Sequence, residues 1–320
     1  VKKLACVFTL SHNEKYILPI WLNYYHQSFD WEDIYVYDHC SSDESIVYSS
    51  DESNDIIEPP GPHTYFQRYG RKHNLKCNVG KVWQSDETGL SEPFWGTQWI
   101  EDFERNNIIL LLKEYEYVIM AESDELLLPN PEKYKNLRDY IEHLKMNNKD
   151  KARATGYEIV HQPDKEPDID WNSNIKNQRR YWMRYGMWDK TIISSKYLSW
   201  SIGFHFVNDN LDPADPDLIL CHLHRLDWKW KLERQIERQK EWWNHQGFNK
   251  MGTNIMPESM DLSVQENKNQ FYKEFISKEF RADPANQGGK AMDKLRRFGA
   301  IPVRGDVVKI PEIYDDWRKF

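Results

Sequence analysis

The 320 residues, 29% charged and 39% hydrophobic, have the composition of a folded globular chain and exclude a disordered one. A formal net charge of -8 argues against a nucleic-acid binder driven by phosphate attraction, and no apolar run reaches membrane-spanning length. Cys6, Cys40, Cys77 and Cys221 lie far apart without a CxxC pair, which excludes a zinc site of the usual spacing and predicts a reduced, cytoplasmic chain.

In chain order, residues 4–10 predict a first buried strand. The two lysines ahead of them mimic a signal peptide, but the apolar run is short and no small-residue cleavage site follows. Ile17, Trp21, Tyr24 and Tyr25 recur at helical spacing, with Pro19 near the start. Residues 33–37 predict a second strand, so strand, helix and strand make a βαβ unit with a parallel sheet. Residues 49–75, rich in Ser, Asp, Pro and Gly, predict surface loops, and residues 79–83 a further strand. Trp95, Trp99 and Phe103 recur at helical spacing.

Residues 117–121 form a short apolar run, and Glu122, Asp124 and Glu125 follow within four positions. Three carboxylates at the end of a buried strand repel one another and lose hydration unless a cation compensates them. Such oxygen-rich clusters suit hard divalent ions, and ligands of open α/β sheets gather beyond the carboxyl ends of the strands. Solvated acids in a polar turn are the plainer alternative.

Beyond it, Leu137, Tyr140, Ile141 and Leu144 predict an amphipathic helix, residues 153–161 a strand and residues 163–177 a polar excursion. Residues 203–207 and 218–223 predict two more short strands, the second running into His222 and His224. Trp228, Leu232, Ile236, Gln239 and Trp243 share a helical face. No linker is evident, so residues 1–245 read as one α/β domain and 246–320 as a helical C-terminal extension packed on it. With 14 Trp, 18 Tyr and 13 Phe, some aromatic faces should be available to stack on sugars.

Three separated segments resemble the GT-A glycosyltransferases, in particular the family 2 and family 92-like group. The first is Asn13-Glu14, Leu18, Trp21, Tyr25-His26, then Ile34 to Asp38, Ser41 and Asp43. The second is Glu122-Ser123-Asp124-Glu125-Leu126, set against the group's DxD motif. The third is Lys190 to Ile193, Gly203-Phe204-His205 and Cys221 to His224. The resemblance covers roughly residues 3–240 and implies a Rossmann-like, mostly parallel sheet flanked by helices. It also implies a nucleotide-diphosphate sugar donor, a glycan or other hydroxyl acceptor, and Mn2+ or Mg2+ as cofactor.

On the same resemblance, Asp124 would hold the metal with Glu122 and His222, and His205 is an alternative ligand. Thr9, Asn13, Glu14, Asp38, Glu122 and Lys190 would bind the nucleotide sugar, and Arg179, Arg180 and Arg184 add a basic patch. Glu122 stands where the group has Asp. Glu125 would face the donor sugar or the acceptor. Inverting transfer needs a carboxylate base, and Asp189, Glu158 and Asp227 are the candidates, with Asp189 preferred for its place beside Lys190. A non-catalytic carbohydrate-binding protein and a metal-dependent phosphohydrolase or nucleotidyltransferase are the competing classes.

Overall fold

The computed structural model describes residues 1–47, 55–57, 64–69, 74–85, 91–92, 97–163, 165–200, 204, 207, 212–231, 233–234 and 304–314. Four strands build the parallel centre of a mixed sheet: β1 (Lys3–Ser11), β2 (Ile34–Asp38), β5 (Asn78–Ser85) and β7 (Tyr115–Met120), in the order β7-β1-β2-β5. β1 and β2 are buried almost throughout, as expected of strands covered on both faces.

Along the main strand order both flanks of the sheet are antiparallel. One carries β3 (Asp55–Ile57), β4 (Thr64–Tyr69) and β6 (Ser91–Glu92). The other carries β9 (Lys151–Val160), β10 (Tyr181–Tyr185), β11 (Lys190–Ser194) and β13 (Arg304–Lys309). The protein is therefore a mixed α/β fold, parallel at its core and antiparallel at its edges.

The pairing of β3 and β4 corrects the expectation of loops across residues 49–75. The Ser, Asp, Pro and Gly of that window outweighed the strand-prone run TYFQRY at 64–69. β8 (Glu125–Pro129) was not foreseen either, because three leucines are too short a run to show a period. It pairs antiparallel with β12 (Asp215–Arg225), which lies off the main order and runs parallel to its other neighbour, β9. The strand expected at 203–207 is described only at Phe204 and Val207, the latter in an isolated bridge with Trp200. His205, Trp95 and residues 235–303 lie outside the described residues, while β13, within the C-terminal extension read as helical, pairs with β10 as a strand.

Helix α1 (Ile17–His26) buries Ile17, Leu18, Trp21 and Tyr25 against the sheet. Its tyrosines do a second job at the edge of β8 that no described strand pairs. The Tyr24 hydroxyl donates to the Leu127 carbonyl at 2.5 Å, and the Tyr25 oxygen accepts from Leu127 N–H at 3.2 Å. Burial pushes both phenols well up, so they stay neutral partners for backbone that would otherwise be orphaned. Helix α2 (Thr97–Leu111) buries Phe103. Helix α3 (Leu137–Met146) buries the four apolar residues expected of it and is capped by Asn136 Oδ1, which accepts from Asp139 N–H at 3.0 Å. Among the described residues no helix is long and apolar enough to cross a membrane.

Two parts of the fold level the site. β1 and β2 pair in register from Val7↔Ile34 to Ser11↔Asp38, and β1 meets β7 up to Phe8↔Met120. The ends of β1 and β2 and the 122–125 turn therefore share one rim of the sheet. On β9, Gly156 lets the backbone of Trp188 pass close by; a Cβ there would lie 2.4 Å from the Trp188 carbonyl carbon. Gly156→Ala should therefore lower stability by about 1–3 kcal/mol, read as a lower urea midpoint at unchanged m-value. A midpoint equal to the parent's would contradict the close approach.

Candidate metal and nucleotide site

The acid turn is held from both sides. Glu125 N–H donates to the Glu122 carbonyl at 2.9 Å, Glu122 N–H donates to Glu125 Oε2 at 3.1 Å, and the Asp124 carbonyl accepts from Leu223 N–H at 2.7 Å. The last bond ties the turn to β12, on which His222 and His224, two residues apart, project to the same face. His222 Nε2 lies 3.8 Å from Asp124 Oδ1, and His224 Nδ1 lies 3.7 Å from Asp124 Oδ2. One ligand atom each from Glu122, Asp124 and His222 fall within 4.8 Å of one another.

Behind the histidine stands Glu158, fully buried on β9. Its carboxylate accepts from His222 Nδ1 (2.9 Å), Trp188 Nε1 (2.9 Å), Arg225 N–H (2.9 Å) and Arg225 Nη1 (2.8 Å). Burial alone would raise its pKa, but His222 and Arg225 overcome that and hold it at about 2. Burial likewise opposes the charge on His222, yet Glu158 and Asp124 raise that imidazole to about 9. Trp188 stacks on the same ring, 4.3 Å between centroids at 17°. With Nδ1 bound to Glu158, Nε2 is the nitrogen turned toward Asp124, the arrangement in which a carboxylate orients a metal-binding histidine.

Two cations complete the cluster. Lys190 Nζ, buried, lies 2.6 Å from Glu125 Oε1 and 3.2 Å from Glu122 Oε2. Burial would depress it, but Glu122 and Glu125 together raise it well above the ordinary lysine value. Desolvation pushes the Glu125 carboxyl up despite Lys190. Arg234 reaches Asp124 Oδ2 at 3.1 Å and also pairs with Glu14. Among the described residues, Glu14, Glu122, Asp124, Glu125 and Glu158 thus face Lys190, Arg225 and Arg234, five negative charges against three positive. Once a metal displaces the proton of His222 these residues retain two negative charges, and two carboxylates beside an oriented imidazole form a donor set that fits one divalent ion.

The remaining sequence-derived residues divide between this site and structural work. Thr9 and Asp38 are buried at the ends of β1 and β2. Asp38 Oδ1 accepts from Ser41 N–H at 2.8 Å. Asn13, at φ 54°, accepts from Ser42 N–H at 2.7 Å through Oδ1 and donates its own N–H to Ser41 Oγ at 3.1 Å. It clamps the loops after β1 and β2 together instead of capping α1.

The three base candidates are anchors to different degrees. A carboxylate offers about four accepting positions, and Glu158 fills four. Asp227 also takes four donors: Arg179 Nη2 (2.6 Å), Ile169 N–H (3.2 Å), and Lys229 and Trp230 N–H (2.9 Å each), the last two capping the helical residues 228–231. Asp189 takes two, from Gly156 N–H and Arg184 Nη2, each at 2.8 Å. Arg179, from the supposed basic patch, is buried with Asp227.

The sequence reading missed Arg234 and Arg225. Arg234 falls on the charged face of the helix begun at Trp228, and its approach to Glu14 across 220 positions has no local signal. The alternation His222-Leu223-His224 was legible as one face of a strand.

The chain matches no family model and no curated protein.

Because the folded pKa of His222 lies above its unfolded value, its imidazolium stabilises the metal-free fold fully below about pH 6.5 and loses that contribution as pH rises through about 9. Urea unfolding in EDTA should show a decline of up to about 3 kcal/mol across that window, absent in His222→Gln. A parent profile as flat as the variant's would refute the Glu158–His222 pairing.

Proposed function

We propose that the chain is a metal-dependent glycosyltransferase, moving a sugar from a nucleotide-diphosphate sugar to a hydroxyl of a glycan or other acceptor with inversion at the anomeric carbon. The observation that carries this reading is the Glu122–Asp124–His222 donor set, backed by Glu158, on the rim where β1 and β2 also end. Glu122, Asp124 and His222 would hold Mn2+ or Mg2+, and the imidazole donor favours Mn2+. A divalent ion bound there supplies Lewis-acid charge to the oxygens of a departing diphosphate.

The other residues have roles that need no further group. Lys190 brings a permanent positive charge beside Glu122 and would draw the diphosphate toward the turn. Thr9, Asn13, Glu14 and Asp38 would line the nucleoside end, on loops already clamped by Asn13. Asp189, with two of its accepting positions unfilled by the described residues, is the carboxylate assigned to take the acceptor proton. Glu125, buried behind Lys190, is assigned to holding that lysine.

A non-catalytic carbohydrate-binding protein on the same scaffold is the second reading. It is favoured by Arg234 and Lys190, which already partly compensate Asp124 and Glu122 without a metal.

Calorimetry with uridine and guanosine diphosphates separates these readings. At least one should bind at least about tenfold more tightly with Mn2+ than with EDTA, and the near-isosteric Asp124→Asn should abolish the difference in a chain whose far-ultraviolet circular dichroism is still that of the folded parent. Equal affinity in both buffers would rule out the metal-bridged donor site. Slow Mn2+-dependent hydrolysis of the matching nucleotide sugar is expected of a transferase and not of a binding protein.

A further inference from the structure

The polar excursion at residues 163–177 has no part in the acid cluster, yet its tip is built with care. Gln178 holds residues 170–174 from below: Oε1 accepts from Asp170 N–H at 2.5 Å, and Nε2 donates to the carbonyls of Asp170 (2.9 Å) and Ser173 (3.2 Å). The Asp170 carboxylate accepts from the Ser173 hydroxyl and, at 3.0 Å, from Asn172 N–H, which holds it below the usual aspartate range. Ile169 N–H is anchored to Asp227. The tip at residues 169–174 is thus braced by its own hydrogen bonds, the kind of preorganisation under which binding loses least to entropy.

Between this tip and the start of α1 lies a cleft of about 490 Å³, within the ~300–1,000 Å³ range of small-molecule sites. Trp171 and Tyr16 stack on each other at its wall, 4.8 Å between centroids at 17°, with Lys15 Nζ 4.9 Å from the Tyr16 ring centroid, and Tyr16 remains 36% exposed. Asn23, Asn172 and Asp170 supply amide and carboxylate groups at the rim, and among the described residues of the lining Lys15 and Asp170 carry the charge. Their charges cancel, so the cleft offers no field for an anion. The outward side of this stacked pair, with a rim of neutral amides, matches a ring with apolar C–H faces and hydroxyl edges. Trp171 also meets Trp230 edge-on at 5.7 Å, and the Arg234 guanidinium lies 5.1 Å from the Trp230 ring while bonding to Asp124. The cleft wall is therefore continuous with the acid cluster.

We infer that this cleft is a binding subsite for an uncharged oligosaccharide, and that it holds the acceptor glycan beside the donor site. The acceptor role rests on the transferase reading; sugar binding itself does not.

The test titrates the full chain, in EDTA, with maltotriose, cellotriose, chitotriose, mannotriose and galactotriose, read by saturation-transfer NMR. At least one should bind, and Trp171→Ala should weaken it by about tenfold or more. Since Trp171 also packs on Tyr16 and Trp230, Asn23→Trp serves as a second variant. It starts from an exposed position on α1 and fills the cleft without touching the core, so it should give the same loss at an unchanged melting temperature. The inference is overturned if none of the five binds, or if binding survives both substitutions. Trisaccharide binding that both variants lose, in a protein that ignores nucleoside diphosphate and Mn2+, would uphold the subsite and defeat the transferase reading. The reverse pattern would defeat the subsite alone.

Discussion

Everything around the rim of the sheet depends on how buried carboxylates are neutralised. Glu125 and Glu158 are fully buried, and Asp124 and Glu14 nearly so. An unpaired buried charge costs several kcal/mol, so each must meet a cation or a set of donors. Lys190 from β11, Arg225 from β12 and Arg234 from the helix beyond it answer from three elements. The antiparallel flank is thereby locked onto the parallel centre by charge as well as by strand pairing. Among the described residues these three cations answer five carboxylates, and ligand atoms of Glu122, Asp124 and His222 converge within 4.8 Å of one another.

The carboxylates divide the labour. Glu158 has its accepting positions filled and turns His222 so that Nε2 points at Asp124. Asp227 ends one loop and begins one helix, and its bond to Arg179 fixes the approach of both. Glu122 remains the open member, its side chain 45% exposed. A rigid, saturated layer beneath a more accessible one is what a metal or diphosphate site requires, since its ligands must be held before the ion arrives.

Much of this was legible in the sequence wherever a local period or a short motif carried it. Continuous apolar runs revealed β1, β2 and β7, and the i, i+3, i+4, i+7 recurrence revealed α3. The acid turn and His222 stood out because several titratable groups flank apolar strands. The β3–β4 pairing was hidden by polar neighbours, and β8 by its brevity. No local signal could have shown that Glu158 is the partner of Arg225, 67 positions away, or that Asp227 caps a helix while neutralising Arg179. Glu158 and Asp227, two of the three candidate bases, take four donors each, and the His222 and Arg225 partners of Glu158 are brought to it by the register of β9 with β12. Such register is a property of the assembled sheet and not of any window along the chain.

The central claim is that His222 and a nucleoside diphosphate share one divalent ion at the acid turn. Pulsed electron paramagnetic resonance of the protein loaded with Mn2+ and uridine or guanosine diphosphate tests it most directly. The account predicts histidine nitrogen coupling and phosphorus coupling on the same Mn2+ signal, the nitrogen coupling disappearing in His222→Gln. Phosphorus coupling without nitrogen in the parent protein, or no bound Mn2+ signal at all, would contradict it.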